Sequence, residues 1–177
     1  KTIDYLSKIE KFINSMMNKL KQSIPPIKIH EKIFELYISA EEIKKIIDRM
    51  VKKISSLEGD NPHFIVVLNG SFLFAADLLK KIDFDAEVSF IKLQSYEGTK
   101  STGVVNKIMG LQADISNRTV VVLEDIVDTG ITLEKIYRIL ESKKPKKIQI
   151  ATLLFKPSSY QKSLDVHYIG KEIDNEF

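Results

Sequence analysis

Hydrophobic and polar positions along the chain fall into two patterns that alternate. Phe64-Ile65-Val66-Val67-Leu68 is an uninterrupted apolar run, the kind buried on both faces of a parallel sheet. Thr119 to Leu123 and Lys147 to Phe155 predict two more such strands. Glu87 to Leu93 predicts another strand, and Val166 to Ile169 a short last one. Between these runs the spacing becomes helical. Ile43, Ile46, Ile47, Met50, Val51, Ile54 and Leu57 recur every three or four residues, which marks the core face of an amphipathic helix. Ser39-Ala40-Glu41-Glu42 precedes them as a capping box, with a hydroxyl at the cap and a carboxylate three residues on. Ser71 to Lys81 predicts a second helix, with Phe72, Leu73, Ala75, Ala76, Leu78 and Leu79 mostly inside. Leu133 to Leu140 predicts a third, with Leu133, Ile136, Ile139 and Leu140 inward.

The breaks fit this reading. Pro25-Pro26 ends the lysine-rich, amphipathic opening stretch, because proline holds the preceding residue in extended conformations. Ile27 to Ile38 alternates loosely and is the length of a short strand. Gly59-Asp60-Asn61-Pro62 is a turn. Asn69-Gly70 breaks the first buried run. Ser95 to Thr102 is polar and glycine-containing and reads as a mobile loop, from which Val104 to Ile108 returns as a strand. Strands alternating with helices predict an α/β fold with a mostly parallel, twisted sheet flanked by helices. The expected organisation is a helical extension over residues 1–26 and one domain over residues 27–177, whose terminal segments form only a small hood.

Composition narrows the chemistry. With 177 residues, 44% hydrophobic and 29% charged, the chain can build one substantial core. It has no cysteine, so disulfides, thiolate metal sites and cysteine nucleophiles are excluded. That suits a cytoplasmic location. The net charge of +3 is too small and dispersed to imply nucleic acid. No apolar run approaches the roughly 20 residues needed to cross a bilayer, so neither nucleic acid nor membrane is an expected partner. His30, His63 and His167 show no metal-ligand spacing.

One segment carries the chemistry. Val120-Val121-Val122-Leu123-Glu124-Asp125-Ile126-Val127-Asp128-Thr129-Gly130-Ile131-Thr132 runs from a buried strand into two adjacent carboxylates, a third carboxylate, then a small hydroxyl-bearing turn that opens a helix. Ligands of open α/β sheets bind beyond the carboxyl ends of the strands. A helix start there offers backbone amides and a favourable dipole to a phosphate. The paired acids suit the two hydroxyls of a ribose. Capping by Asp128 or Thr129 would account for one acid, not three.

This run resembles the phosphoribosyl pyrophosphate signature of the type I phosphoribosyltransferases. From about Ile29 to Phe177 the resemblance narrows to the hypoxanthine (hypoxanthine-guanine) phosphoribosyltransferases. Val67-Leu68-Asn69-Gly70-Ser71 is similar to their pyrophosphate loop. Phe90 to Tyr96 with Ser101-Thr102-Gly103 is similar to their flexible catalytic loop. Ala151 to Lys156 is similar to the strand with their base-reading lysine, and Tyr168-Ile169-Gly170 with Glu172-Ile173 and Phe177 to their purine-stacking segment.

The resemblance implies the type I phosphoribosyltransferase fold and transfer of phosphoribosyl from phosphoribosyl pyrophosphate to hypoxanthine or guanine, giving IMP or GMP and pyrophosphate. It implies Mg2+ as cofactor and a homodimer or homotetramer. Glu124 and Asp125 would hold the ribose hydroxyls and approach the metal. Asp128, Thr129, Gly130, Ile131 and Thr132 would bind the 5′-phosphate, with Asp128 also acting as general acid or base at purine N7. Leu68, Asn69 and Gly70 would face pyrophosphate, through a cis Leu68-Asn69 peptide. Ser95 and Tyr96 would close over the reacting centre. Ile126 and Phe177 would sandwich the purine, and Lys156 would donate to O6.

Asp174 stands where the family has proline, and Lys171 where it has an apolar or aromatic residue. The family pattern also runs past the position of Phe177, so the expectation is a chain shortened at that end. Two alternatives share the fold: a phosphoribosyl-sensing regulator without turnover, and a transferase for another base.

Overall fold

The computed structural model describes residues 25–97 and 104–175. Most of the predicted 1–26 extension, the Ser101-Thr102-Gly103 segment and Phe177 therefore lie outside the described residues. The chain divides into two compact units, Lys1–Lys44 and Lys45–Phe177.

In the first unit, the loosely alternating stretch forms a small antiparallel hairpin, β1 (Ile27–Ile29) with β2 (Lys32–Phe34). Helix α1 (Ala40–Ile54) follows, beginning in this unit and lying mostly in the second. The Ser39 half of its capping box forms, with the Glu42 N–H donating to Ser39 Oγ at 3.1 Å.

The second unit is built on a six-stranded sheet. Its strands are β3 (His63–Val67), β4 (Glu87–Glu97), β5 (Val104–Met109), β6 (Thr119–Val127), β7 (Lys147–Phe155) and β8 (Tyr168–Glu172), in the spatial order β5-β4-β3-β6-β7-β8. All neighbours run parallel except β5, which returns antiparallel along β4. Helices α2 (Phe72–Leu79) and α3 (Ile131–Glu141) connect the parallel strands.

All five residues of β3, and Thr119 to Leu123 of β6, are buried, as expected of central strands covered on both faces. On α1, Ile46, Ile47, Met50 and Ile54 are buried. Leu133, Ile136 and Leu140 of α3 join the cluster around Ile65, Val122 and Ile150.

β8 covers Tyr168–Glu172 rather than Val166–Ile169, and three further elements differ from expectation. β4 continues through Ser95 and Tyr96 to Glu97, because β5 supplies the ladder that polar side chains cannot signal. β6 continues through Glu124, Asp125 and Ile126 to Val127, held by β7 at Glu124↔Thr152, Ile126↔Leu154 and Val127↔Phe155. The short α2 buries Phe74, Ala75 and Leu78, while Phe72 (54% exposed) and Leu73 (74%) project outward from its first turn rather than inward.

Candidate active site

Chain order and spatial order together locate the site. From β3 the chain steps outward to β4, then crosses back so that β6 lies on the other side of β3. Crossovers diverge at that point, which opens a crevice beyond the carboxyl ends of β3 and β6. The acidic run and the Leu68-Asn69-Gly70 turn sit there, one on each strand end.

The Leu68-Asn69 peptide is cis, as the resemblance implied. The Leu68 N–H donates to the Ile91 carbonyl at 2.8 Å, and the Ser71 hydroxyl donates to the Val67 carbonyl. The first bond ties the turn to β4 and the second folds it back on its own strand. Gly70 lies against the Asp125 carboxyl group. A Cβ on Gly70 would stand 2.8 Å from the Asp125 carboxyl carbon, a distance no carbon pair tolerates. The turn after β3 and the acids of β6 are thus packed directly together.

Glu124 is the electrostatic centre of the crevice. Its Oε2 is buried without a hydrogen-bond partner in the protein. Burial, then the adjacent Asp125 carboxylate, push its carboxyl group from 4.5 up to about 8. Two neighbouring acids, one short of a partner, can take a divalent cation. Magnesium needs only one or two carboxylates when substrate oxygens and water complete its shell. Among the described residues no cluster of three or more His, Cys, Asp or Glu side chains forms a metal cage, so a cation here would rely on such additional oxygens.

Beyond Val127 the chain leaves the sheet and forms a pocket of about 150 Å³, lined by Glu124, by Ile126 to Gly130 and by Ile131 to Leu133. Gly130 is the N-cap of α3 in the left-handed region, at φ 80°, and no side chain caps the helix. Asp128 and Thr129 therefore do not serve as caps. Asp128 is half exposed, and Thr132 lies on the exposed first turn. A helix start whose amides no side chain caps can take a phosphate.

Lys156 follows β7 directly. Its N–H donates to the Val127 carbonyl at 3.0 Å, extending the β6–β7 ladder by one rung. Its side chain is only 9% exposed, and Nζ lies 3.7 Å from Asp128 Oδ2. A buried ammonium and a partly exposed carboxylate thus meet beside the pocket. Ile126, half-buried, adjoins them. Ser95 and Tyr96 lie on β4 opposite Asn106 and Val105.

Sequence reasoning missed the segment from Ser159 to Leu164, which packs behind the phosphate turn. The Gln161 N–H donates to the Thr129 carbonyl at 3.2 Å, and Lys162 Nζ meets Glu134 Oε2 at 2.7 Å. No local pattern announces it, since its partners lie about thirty residues earlier.

A parallel sheet with paired acids and an uncapped helix start at its switch point defines a class. The chain belongs to the phosphoribosyl transferase domain family, whose pattern spans residues 36–177. Its relatives include the hypoxanthine-guanine phosphoribosyltransferase of Staphylococcus epidermidis, 38% identical over 151 residues and 84% of each chain. The same-named protein of Staphylococcus aureus is 35% identical over 151 residues, again 84% of each chain. The crystal structure of a hypoxanthine-guanine phosphoribosyltransferase from Bacillus anthracis superposes with a TM-score of 0.72 at 33% identity, covering 82% of this chain and 87% of that one. The chain is a phosphoribosyltransferase enzyme with the type I fold. Among the described residues no helix is long and apolar enough to cross a membrane.

Proposed function

We propose that this enzyme transfers the phosphoribosyl group of phosphoribosyl pyrophosphate to N9 of a 6-oxopurine, hypoxanthine or guanine, giving IMP or GMP and pyrophosphate in purine salvage. The observation that carries this reading is the meeting of Lys156 Nζ and Asp128 Oδ2 at 3.7 Å beside the ribose-phosphate cradle. A ring with an acceptor O6 next to N7 presents both groups with what they need: Lys156 donates to O6, and Asp128 handles the proton at N7 as general acid or base. Adenine has an amino group at that position and leaves the buried ammonium facing a donor.

The remaining roles are those the family resemblance implies. Asp128 to Thr132 bind the 5′-phosphate at the start of α3. Glu124 and Asp125 bind the ribose hydroxyls and would hold a magnesium ion, which when bound neutralises the charge on the leaving pyrophosphate. Leu68, Asn69 and Gly70 face that pyrophosphate. Ile126 and, by the resemblance, Phe177 enclose the purine. Ser95 and Tyr96 close the site against water, the competing nucleophile. In the reaction the C1–pyrophosphate oxygen bond breaks, the C1–N9 bond forms, and the purine imidazole loses one proton. Positioning and electrostatics supply most of the acceleration. The reading includes a cytoplasmic homodimer or homotetramer; exposed Phe72, Leu73, Val88 and Phe90 supply apolar surface for subunit contact.

The test is a set of initial rates with phosphoribosyl pyrophosphate and Mg2+ against hypoxanthine, guanine, xanthine and adenine. Turnover of hypoxanthine or guanine with adenine slower by about 10⁴-fold is expected, the discrimination of a site built around one buried hydrogen bond. Comparable use of adenine overturns the reading.

A further inference from the structure

The segment behind the phosphate turn has no role in the reading above, yet it touches that turn at its most constrained point. Gly130 is held at φ 80°. A Cβ there would run into the Tyr160 ring, 3.0 Å from Cδ2, and into Lys162 Cγ at 2.9 Å. The ring therefore fills the space a side chain on Gly130 would need. Tyr160 is itself fixed. Its ring meets Phe155 edge-on with centroids 5.2 Å apart, and its hydroxyl donates to the Leu164 carbonyl at 2.7 Å. Its neighbours hold the same turn at two more points. Gln161 N–H binds the Thr129 carbonyl, and Lys162 binds Glu134, whose own N–H donates to the Gly130 carbonyl at 2.9 Å.

We propose that Tyr160 is a positioning residue for the 5′-phosphate site: its ring, with the Gln161 and Lys162 contacts beside it, sets the conformation of Thr129-Gly130. The inference rests on the phosphate role given above to Asp128 through Thr132. A trans peptide points its N–H opposite to its C=O. Holding the Thr129 carbonyl on Gln161 therefore turns the Gly130 N–H away from the Tyr160 segment and leaves it to a ligand. Without the ring, Gly130 regains the freedom that glycine has in both halves of conformational space, and the amides no longer converge. The Tyr160 segment reaches Lys156 through main-chain bonds, the Ser159 and Tyr160 N–H groups donating to its carbonyl at 3.2 Å; a change of the Tyr160 side chain leaves these in place, and the Lys156 N–H stays on the Val127 carbonyl, so the purine contacts survive.

The experiment compares Tyr160→Ala and Tyr160→Phe with the parent enzyme, each checked for folding by circular dichroism. Calorimetry with ribose 5-phosphate reads the phosphate site alone. Tyr160→Ala should weaken ribose 5-phosphate and raise the KM for phosphoribosyl pyrophosphate about 10-fold or more, the scale of a small misplacement. The KM for hypoxanthine, at saturating phosphoribosyl pyrophosphate, should change by less than about 2-fold. Tyr160→Phe keeps the ring against Gly130 and should restore near-parent values. If Tyr160→Ala does not fold, Tyr160→Leu, which keeps apolar bulk without the flat edge, is read in the same way. Unchanged ribose 5-phosphate affinity, or equal loss for both substrates, overturns the inference. A parent enzyme that binds ribose 5-phosphate yet does not turn over hypoxanthine or guanine overturns the proposed function instead, and the Tyr160 comparison still stands.

Discussion

Replacing Glu124 by glutamine should stabilise the ligand-free protein while damaging it as an enzyme. The side chain keeps its shape, and the carboxyl group that burial and Asp125 push up to about 8 is gone. In the unfolded chain that group ionises near 4.5; in the fold it keeps its proton to about 8. Between those values the folded state binds more protons, so stability must fall as pH rises through the window and level off above it. At pH 7 the gap above 4.5 is about 2.5 units, worth about 3 kcal/mol at most. Relaxation of water and dipoles around the ionised group brings the expected effect to roughly 1–3 kcal/mol. A protein of this size shifts by about 2–4 °C per kcal/mol, so Glu124→Gln should melt roughly 2–12 °C higher at pH 7. The two proteins should converge toward pH 5. The assay is thermal melting from pH 5 to pH 9 without Mg2+ or phosphoribosyl pyrophosphate. Adding both should reverse the order, since only the parent then gains a ligand for its carboxylate. Parallel curves for the two proteins across the whole range would refute the argument, because Glu124 would then titrate as an ordinary surface acid.

Other outcomes follow from the same geometry. Asp128→Asn should lower kcat about 10²–10⁴-fold and affect phosphoribosyl pyrophosphate binding far less; steady-state kinetics with near-normal kcat would remove Asp128 from the proton step. Lys156→Ala should raise the KM for hypoxanthine and leave that for phosphoribosyl pyrophosphate within about 2-fold, since of the two substrates it is the base that is assigned to its ammonium; equal effects on both would contradict its assignment to the purine. Gly70→Ala should push the Asp125 carboxylate aside and cost at least about 10-fold in kcat/KM for phosphoribosyl pyrophosphate, with secondary structure intact; full activity would show that Asp125 can move without consequence.

The parts legible in the sequence were those written in local chemistry. Val120 to Leu123 read as a buried strand because nothing polar interrupts it, and three acids within five residues after it have no structural need to be there. Ser39 and Glu42 sit at cap spacing, and the bond between them forms. What the sequence hid depends on neighbours distant along the chain. Ser95 and Tyr96 look like loop residues, but β5 gives their backbone a partner. Phe72 and Leu73 carry an apolar signal that does not say which way the first turn of α2 faces. Asp125 against Gly70, and Tyr160 against Gly130, join segments thirty or more residues apart. Neither glycine announces in the sequence what occupies its missing side chain.

The ladder that ends at Lys156 works as a ruler. Because the Lys156 N–H closes on Val127, the acid that follows β6 and the lysine that follows β7 leave adjacent strands at neighbouring rungs. Their separation is inherited from the strand spacing of about 4.8 Å, which no side-chain substitution can alter. The main-chain separation from which the two proposed purine-reading side chains start is thus set by the backbone itself. A descendant of this fold that reads a different purine edge must change what stands at position 156, since it cannot change where position 156 stands.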